Sequence, residues 1–203
     1  MYLYLVRHAI KEKAIGDVPI TKEGIFQAQL TSKYFNKIPL SSIFSSPLKR
    51  AKETAEYIAK VHDLPVNIDN RLRERANWGD LPGQSFQEFV EMWDRCTRDP
   101  DFIPPVGDSV RQACERMVSL LIEVAKEHPS EANIVIVTHG GLITDYLVNT
   151  FPENVLDQHN PQFIVNQSNL IPECSITRLR YDNKRFSIEE FAYTDHLNSE
   201  EVF

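Results

Sequence analysis

Residues 134–137 read IVIV, four apolar β-branched residues in a row, set between the helical pattern of Ser109 to Lys126 and the string THGG, after which Leu142 to Asn149 is helical again. A strand with no polar alternation is covered on both faces, and strands covered in that way belong to parallel sheets flanked by helices. The unit is therefore helix, buried strand, Gly turn, helix. It commits the chain to a layered α/β architecture.

The remainder repeats the alternation. Tyr2 to Val6 is an apolar strand, and Thr21 is placed to cap a helix running to about Phe35, with Ile25, Ala28 and Phe35 along one stripe. Ser42 to Ser46 (SIFSS) is short and β-like. Ser46 and Pro47 then offer an N-cap and a first helical residue for KRAKETAEYIAKV, whose Leu48, Ala51, Ala55 and Ile58 point inward. Leu64 to Ile68 is a third short strand. Between Arg71 and Gly107 the prolines and glycines predict a loop-rich excursion around one helix, Phe86 to Cys96, of the kind that shapes a substrate pocket. CSITRLRY and RFSIEEF alternate with period two around Asp182 and Asn183, which predicts an antiparallel hairpin at the sheet margin. The expected fold is α/β: three α/β/α layers around a mainly parallel central sheet with an antiparallel margin. A single domain over residues 1–203 is expected, because no linker-like stretch interrupts the 203 residues.

A formal net charge of -7 and a pI near 5.4 argue against a nucleic-acid or anionic-membrane binder, either of which needs a basic face. Any basic site must be local. Cys96, Cys114 and Cys174 are odd in number and lack CxxC spacing, so they read as free buried thiols in a reducing compartment. The apolar run Leu3 to Val6 is far shorter than a signal-peptide core, and nothing later approaches the roughly 20 residues of a membrane span. A cytoplasmic location is expected. The oligomeric state leaves no mark in the sequence.

Open parallel sheets bind ligands beyond the carboxyl ends of their strands. Three such ends carry polar residues: the first strand ends in Arg7-His8, SIFSS leads within one turn to Arg50, and IVIV ends in Thr138-His139-Gly140-Gly141. Each taken singly has a bland reading as a satisfied histidine or a solvated helix charge. Their coincidence at strand ends is what points to a site, and His62, His128, His159 and His196 do not share it. Lys49, Arg50 and Lys52 fall in the first turn of their helix, where the macrodipole favours anions and disfavours cations, so a bound anion resolves the conflict. The N–H groups of Gly140 and Gly141 open a helix in the same way. No HxH or HExxH spacing is present, so the site is expected to hold no metal and no cofactor.

LYLVRHA, PITKEGIFQAQ, SSPLKRAKETAEYI, RLRE with its WGD-containing loop, GDS before a helix, IVIVTHGG and the closing YTDHL, taken in order, resemble the histidine phosphatase superfamily, the phosphoglycerate-mutase-like group. The resemblance covers almost the whole chain. It implies that His8 is the nucleophile and forms a phosphohistidine, that Arg7, Arg50 and His139 hold the phosphoryl oxygens beside Gly140, and that Glu74 is the general acid and then the base. Two guanidiniums and an imidazolium would neutralise the transferring group without Mg²⁺. From the residues alone, Glu74 between Arg73 and Arg75 is a solvated charge cluster. Two departures stand out: Ala9 follows His8 where many relatives have Gly, and IKEKAIGD lacks the Asn that helps bind phosphate, leaving Lys11 or Lys13 as electrostatic stand-ins. The loop ERANWGDLPG also runs one residue longer before its first Gly.

The function implied is a metal-independent phosphomonoester phosphatase acting on a small phosphorylated substrate. A phosphomutase, which keeps the phosphohistidine until a second hydroxyl arrives, and a weakly catalytic phospho-ligand sensor are the alternatives. Pocket walls are expected from residues 9–20, 75–108 and 150–172, with Arg75, Trp78, Phe86 and Phe163 as candidate contacts.

Overall fold

The computed structural model describes residues 1–198. The elements follow in the order β1 (Tyr2–Arg7), α1 (Lys22–Phe35), β2 (Ser42–Ser45), α2 (Lys49–His62), β3 (Val66–Ile68), α3 (Phe86–Arg98), α4 (Val110–Glu127), β4 (Asn133–Thr138), α5 (Gly140–Thr150), α6 (Glu153–His159), α7 (Phe163–Asn166), β5 (Ile176–Asp182) and β6 (Arg185–Tyr193). The strands form one sheet ordered β3-β2-β4-β1-β5-β6. The first four run parallel, β5 is antiparallel to β1, and β6 pairs antiparallel with β5. This is the mainly parallel sheet with an antiparallel margin.

Alternation along β1 assigns its residues to two cores. Leu3 and Leu5 pack with Met117, Leu121, Leu142 and Tyr146 of α4 and α5, whereas Tyr4 and Val6 pack with Phe35, Ala51, Ala55 and Ile58 of α1 and α2. Helices thus cover both faces, giving three layers. In β4 all four residues of IVIV are fully buried, and burial of each such side chain contributes about 1.5–3 kcal/mol.

The local rules hold at several boundaries. Thr21 caps α1 through its hydroxyl to Gly24 N, and Ser109 caps α4 in a capping box with Gln112. The β5–β6 turn uses Asn183 and Lys184 at φ 48 and 61, one residue beyond the pair read from the sequence.

Elsewhere the structure corrects the sequence reading. α2 begins at Lys49 and its N-cap is Leu48, not Ser46, because the Ser46 hydroxyl is shared between His139 Nε2 at 2.8 Å and Leu48 N at 3.3 Å. The Asp17 carboxylate caps that helix from a distance, accepting from Lys49 N at 2.8 Å. No Gly turn separates β4 from α5: His139 is the N-cap, and Gly140 and Gly141 are the first helical residues. α6 and α7 were not foreseen. Cys96, Cys114 and Cys174 are free and buried. Among the described residues no helix is long and apolar enough to cross a membrane.

Candidate active site

β2, β4 and β1 are neighbours in the sheet, so their carboxyl ends bring His8, Ser46 and His139 onto one rim. The alternation of β1 carries through its end. Arg7 falls on the side of α5 and His8 on the side of α2.

His8 is 5% exposed and both ring nitrogens are engaged. Nδ1–H donates to its neighbour's carbonyl, Ala9 O, at 2.7 Å, which fixes the tautomer and leaves the Nε2 lone pair outward. Arg50 Nε–H donates to that Nε2 at 3.1 Å. Thr54 completes the support, accepting from Ala9 N at 3.0 Å and donating to Arg50 O at 2.7 Å. Burial first, then the charge of Arg50, with smaller contributions from Arg7 and Lys11, holds the His8 pKa well below the ordinary 6.5. His8 is therefore neutral at pH 7, as a nitrogen nucleophile must be.

His139 lies beside it, with ring centroids 5.1 Å apart. It is fully buried, its Nε2 faces Ser46 Oγ, and its Nδ1 is buried without a protein partner. Burial and the charge of Arg50 lower its pKa well below 6.5 as well. In the site without phosphate His139 is thus held toward its neutral, hydrogen-bonding form, and the positive charge there comes from arginine and lysine.

Arg7 is wedged above Gly140, where an added Cβ would stand 3.1 Å from Arg7 Cδ. Its Nη1–H donates to Ile171 O at 2.5 Å, and Nη2 forms an ion pair with Glu173. Arg7 Nε and Arg50 Nη1 are buried donors without a protein partner. Such donors are what a phosphoryl oxygen requires.

Glu74 does not sit in the solvated cluster that its neighbours alone suggest, because each flanking arginine is committed elsewhere. Arg73 pairs with Asp80 at 2.8 Å, and Arg75 is buried against Asp145 at 2.5 Å with its guanidinium 3.7 Å over the Trp93 ring. The Glu74 carboxylate is held by backbone donors instead, Oε2 by Gly141 N and Oε1 by Arg75 N, both at 3.1 Å. So the N-terminus of α5 is already occupied, and its occupant is the Glu74 carboxyl group. The close approach requires Gly141, since a Cβ there would fall 2.7 Å from Glu74 Oε1 and 2.6 Å from the Trp93 ring. Behind it, burial pushes the Asp145 carboxyl up to about 7 against the pull of Arg75.

Arg7, His8, Arg50, Glu74 and Gly140 line one cavity of about 380 Å³. Its far wall is aromatic, built from Trp78, Phe86, Phe89 and Trp93. The three expected segments all contribute. Of the two lysines, Lys11 reaches the cavity and Lys13 does not line it; burial with Arg50 and Arg7 nearby lowers the Lys11 pKa. Phe163 is a correction: it is fully buried in the core that includes α4 and α5 and does not line this cavity. Arg75 lines the cavity but is tied up by Asp145 and Thr97. Asp145 and Glu173 escaped the sequence reading, which took Ser46 only for a helix cap. Among the described residues no group of three or more His, Cys, Asp or Glu is placed to hold a metal ion.

The model of the histidine phosphatase superfamily (branch 1) matches residues 3–194. An uncharacterized phosphatase, PhoE, of Bacillus subtilis (strain 168) is 27% identical over 201 residues, covering 96% of this chain and 95% of that one. Phosphoglycerate mutase-like protein 4 of Arabidopsis thaliana is 32% identical over 190 residues, covering 89% of this chain and 77% of that one. A solved mycobacterial glucosyl-3-phosphoglycerate phosphatase with inorganic phosphate shares the fold, with a TM-score of 0.75 at 23% identity over 96% of this chain and 98% of that one. The match over nearly the full chain agrees with the geometry at the three strand ends, and the chain belongs to the histidine phosphatase superfamily, branch 1.

Proposed function

We propose that His8, Arg7, Arg50, His139 and Glu74 together carry out phosphomonoester hydrolysis, with His8 as the nucleophile. The protein is a phosphatase of the superfamily and works through a phosphohistidine. The observation that carries the assignment is the His8 ring itself: its tautomer is fixed by Ala9 O, and its Nε2 sits beside Arg50 at the cavity wall.

Nε2 attacks phosphorus and the bond from phosphorus to the ester oxygen breaks. The oxygens of the phosphoryl group draw Arg50 away from His8 and take up the unpaired donors of Arg7, Arg50 and His139. Lys11 adds charge where the family's Asn is missing. Glu74 protonates the departing alkoxide, then as carboxylate takes a proton from the water that attacks phosphorus and breaks the P–Nε2 bond. Gly140 keeps its place beside the phosphate by leaving room for Arg7. These roles need no metal ion and no cofactor. One domain carries the reaction, and the free thiols suit the reducing cytoplasm.

Phosphate release from p-nitrophenyl phosphate and from a panel of sugar, nucleotide and glycerate phosphates, measured in EDTA, tests the reading. Turnover should survive EDTA and vanish in His8→Ala. Equal turnover by the variant overturns the assignment of His8, and transfer of the phosphate to an added hydroxyl compound in preference to water replaces the phosphatase by a mutase.

A further inference from the structure

Arg7 was expected to belong to the phosphate alone, yet a carboxylate already holds it. Glu173 lines the same cavity as His8 and Arg50, and its Oε1 accepts from Arg7 Nη2. The contact is built by the backbone as well as by the side chains. Cys174 N donates to Arg7 O at 3.0 Å, and Ser175 N closes a turn onto Pro172 O at 3.1 Å. Cys174 adopts φ 57, a left-handed conformation that costs a residue with a Cβ about 1 kcal/mol or more. That strained turn presents Glu173 to Arg7.

We infer that Glu173 is a positioning residue that sets the charge of the phosphate pocket: it fixes the Arg7 guanidinium and, through its own negative charge, loosens the hold on the phosphate product. The inference rests on the phosphatase reading above. Arg7, Lys11 and Arg50 face two carboxylates, Glu74 and Glu173, across one cavity. A phosphate dianion is attracted by the first three and repelled by Glu173, the carboxylate that takes no part in the proton transfers. Substrate and product share the phosphoryl group, so a pocket that gripped it too firmly would hold inorganic phosphate after each turnover without raising kcat. Glu173 relieves that hold. Because it is fastened to the very guanidinium that binds phosphate, it orients Arg7 and tempers it through one contact.

Glu173→Gln separates the two effects, since the amide keeps an acceptor for Arg7 Nη2 and removes the charge. Its Ki for inorganic phosphate against p-nitrophenyl phosphate should fall about tenfold, with KM falling alongside and kcat not rising. Glu173→Ala removes acceptor and charge together, leaves Arg7 held only through Ile171 O, and should lower kcat/KM well below that of the Gln variant. A phosphate Ki that is unchanged or raised in Glu173→Gln overturns the electrostatic role; identical kcat/KM in the Gln and Ala variants overturns the positioning role. Wild-type turnover in the same assay decides the phosphatase reading by itself, so failure of the one is not mistaken for failure of the other.

Discussion

Arg50 Nε lies 3.1 Å from His8 Nε2, so the guanidinium proposed to bind phosphate rests on the nitrogen proposed to attack it. Both residues are almost wholly buried, His8 at 5% and Arg50 at 3% exposure. The contact keeps a proton off Nε2 by placing a permanent cation beside it. Removing Arg50 should act in two ways. Arg50→Ala is expected to lower kcat/KM about 10²–10³-fold, the usual effect of losing one donor to the transferring group. The same variant should raise the His8 pKa toward 6.5, because one cause of its depression is gone. Titration of the His8 ring by NMR checks the second effect; an unshifted pKa would show that Arg50 is not among its causes.

Glu74→Gln removes the proton donor and spares the nucleophile. A poor alkoxide leaving group needs that proton and p-nitrophenolate does not, so the loss should be about 10²–10⁴-fold for an alkyl phosphate and much smaller for the first step with p-nitrophenyl phosphate. Burst kinetics with the aryl ester give the comparison. Equal losses with both esters would remove Glu74 from the role of acid.

Gly141→Ala puts a methyl group where the Glu74 carboxylate and the Trp93 ring now stand. Overpacking of this kind costs about 1–3 kcal/mol. The expected outcome is a modest drop in the urea midpoint and a tenfold or larger drop in kcat for alkyl phosphates, with phosphate binding retained. Loss of phosphate binding together with kcat would show that the site is disrupted as a whole.

Acid should destabilise the protein from pH 6.5 downward. His8 and His139 have folded pKa values below the unfolded 6.5, so the unfolded chain binds more protons there, and stability present above pH 6.5 is lost as pH falls. Asp145 acts in the opposite sense: its folded value of about 7 exceeds the unfolded 3.8, so it gains stability over the same interval. His159 and His196 are lowered as well, His196 to about 4, so four histidines oppose one carboxyl and the net effect between pH 6.5 and 5 is a loss of stability. Urea midpoints at the two pH values measure it. A midpoint that rises on acidification would mean that Asp145 outweighs the histidines.

The parallel sheet and the nucleophile's surroundings were legible because they rest on local rules: an unbroken apolar run, a capped helix, charged residues at strand ends. Arg7, His8, Arg50 and His139 could be found in that way. Glu74 could not, since its neighbours suggested a solvated cluster, and only its place in RLRE marked it. Its actual partner, Gly141 N, lies 67 residues away, and Arg7 is 166 residues from Glu173. No period or cap in the sequence encodes such distances. Ser46 misled for a related reason: a Ser-Pro pair has the composition of a helix start, but the hydroxyl is drawn to His139 across the rim. Phe163 shows the limit of reading pockets from aromatic content, because a four-residue helix leaves no periodicity to say which way its rings face.

Consecutive residues at the carboxyl end of β1 serve opposite layers of the protein. His8 leans toward α2, whose Arg50 and Thr54 support it, while Arg7 leans toward α5 and the segment before β5. The aromatic wall and Glu74 come from neither layer but from the excursion between β3 and α4. On the proposed roles, attack, grip and choice of substrate are thus held by different parts of the chain that meet around one cavity. Substitutions in the excursion can change which alcohol is accepted while the histidine and its arginines stay in place, so one phosphoryl-transfer core can be inherited unaltered by enzymes of different diet.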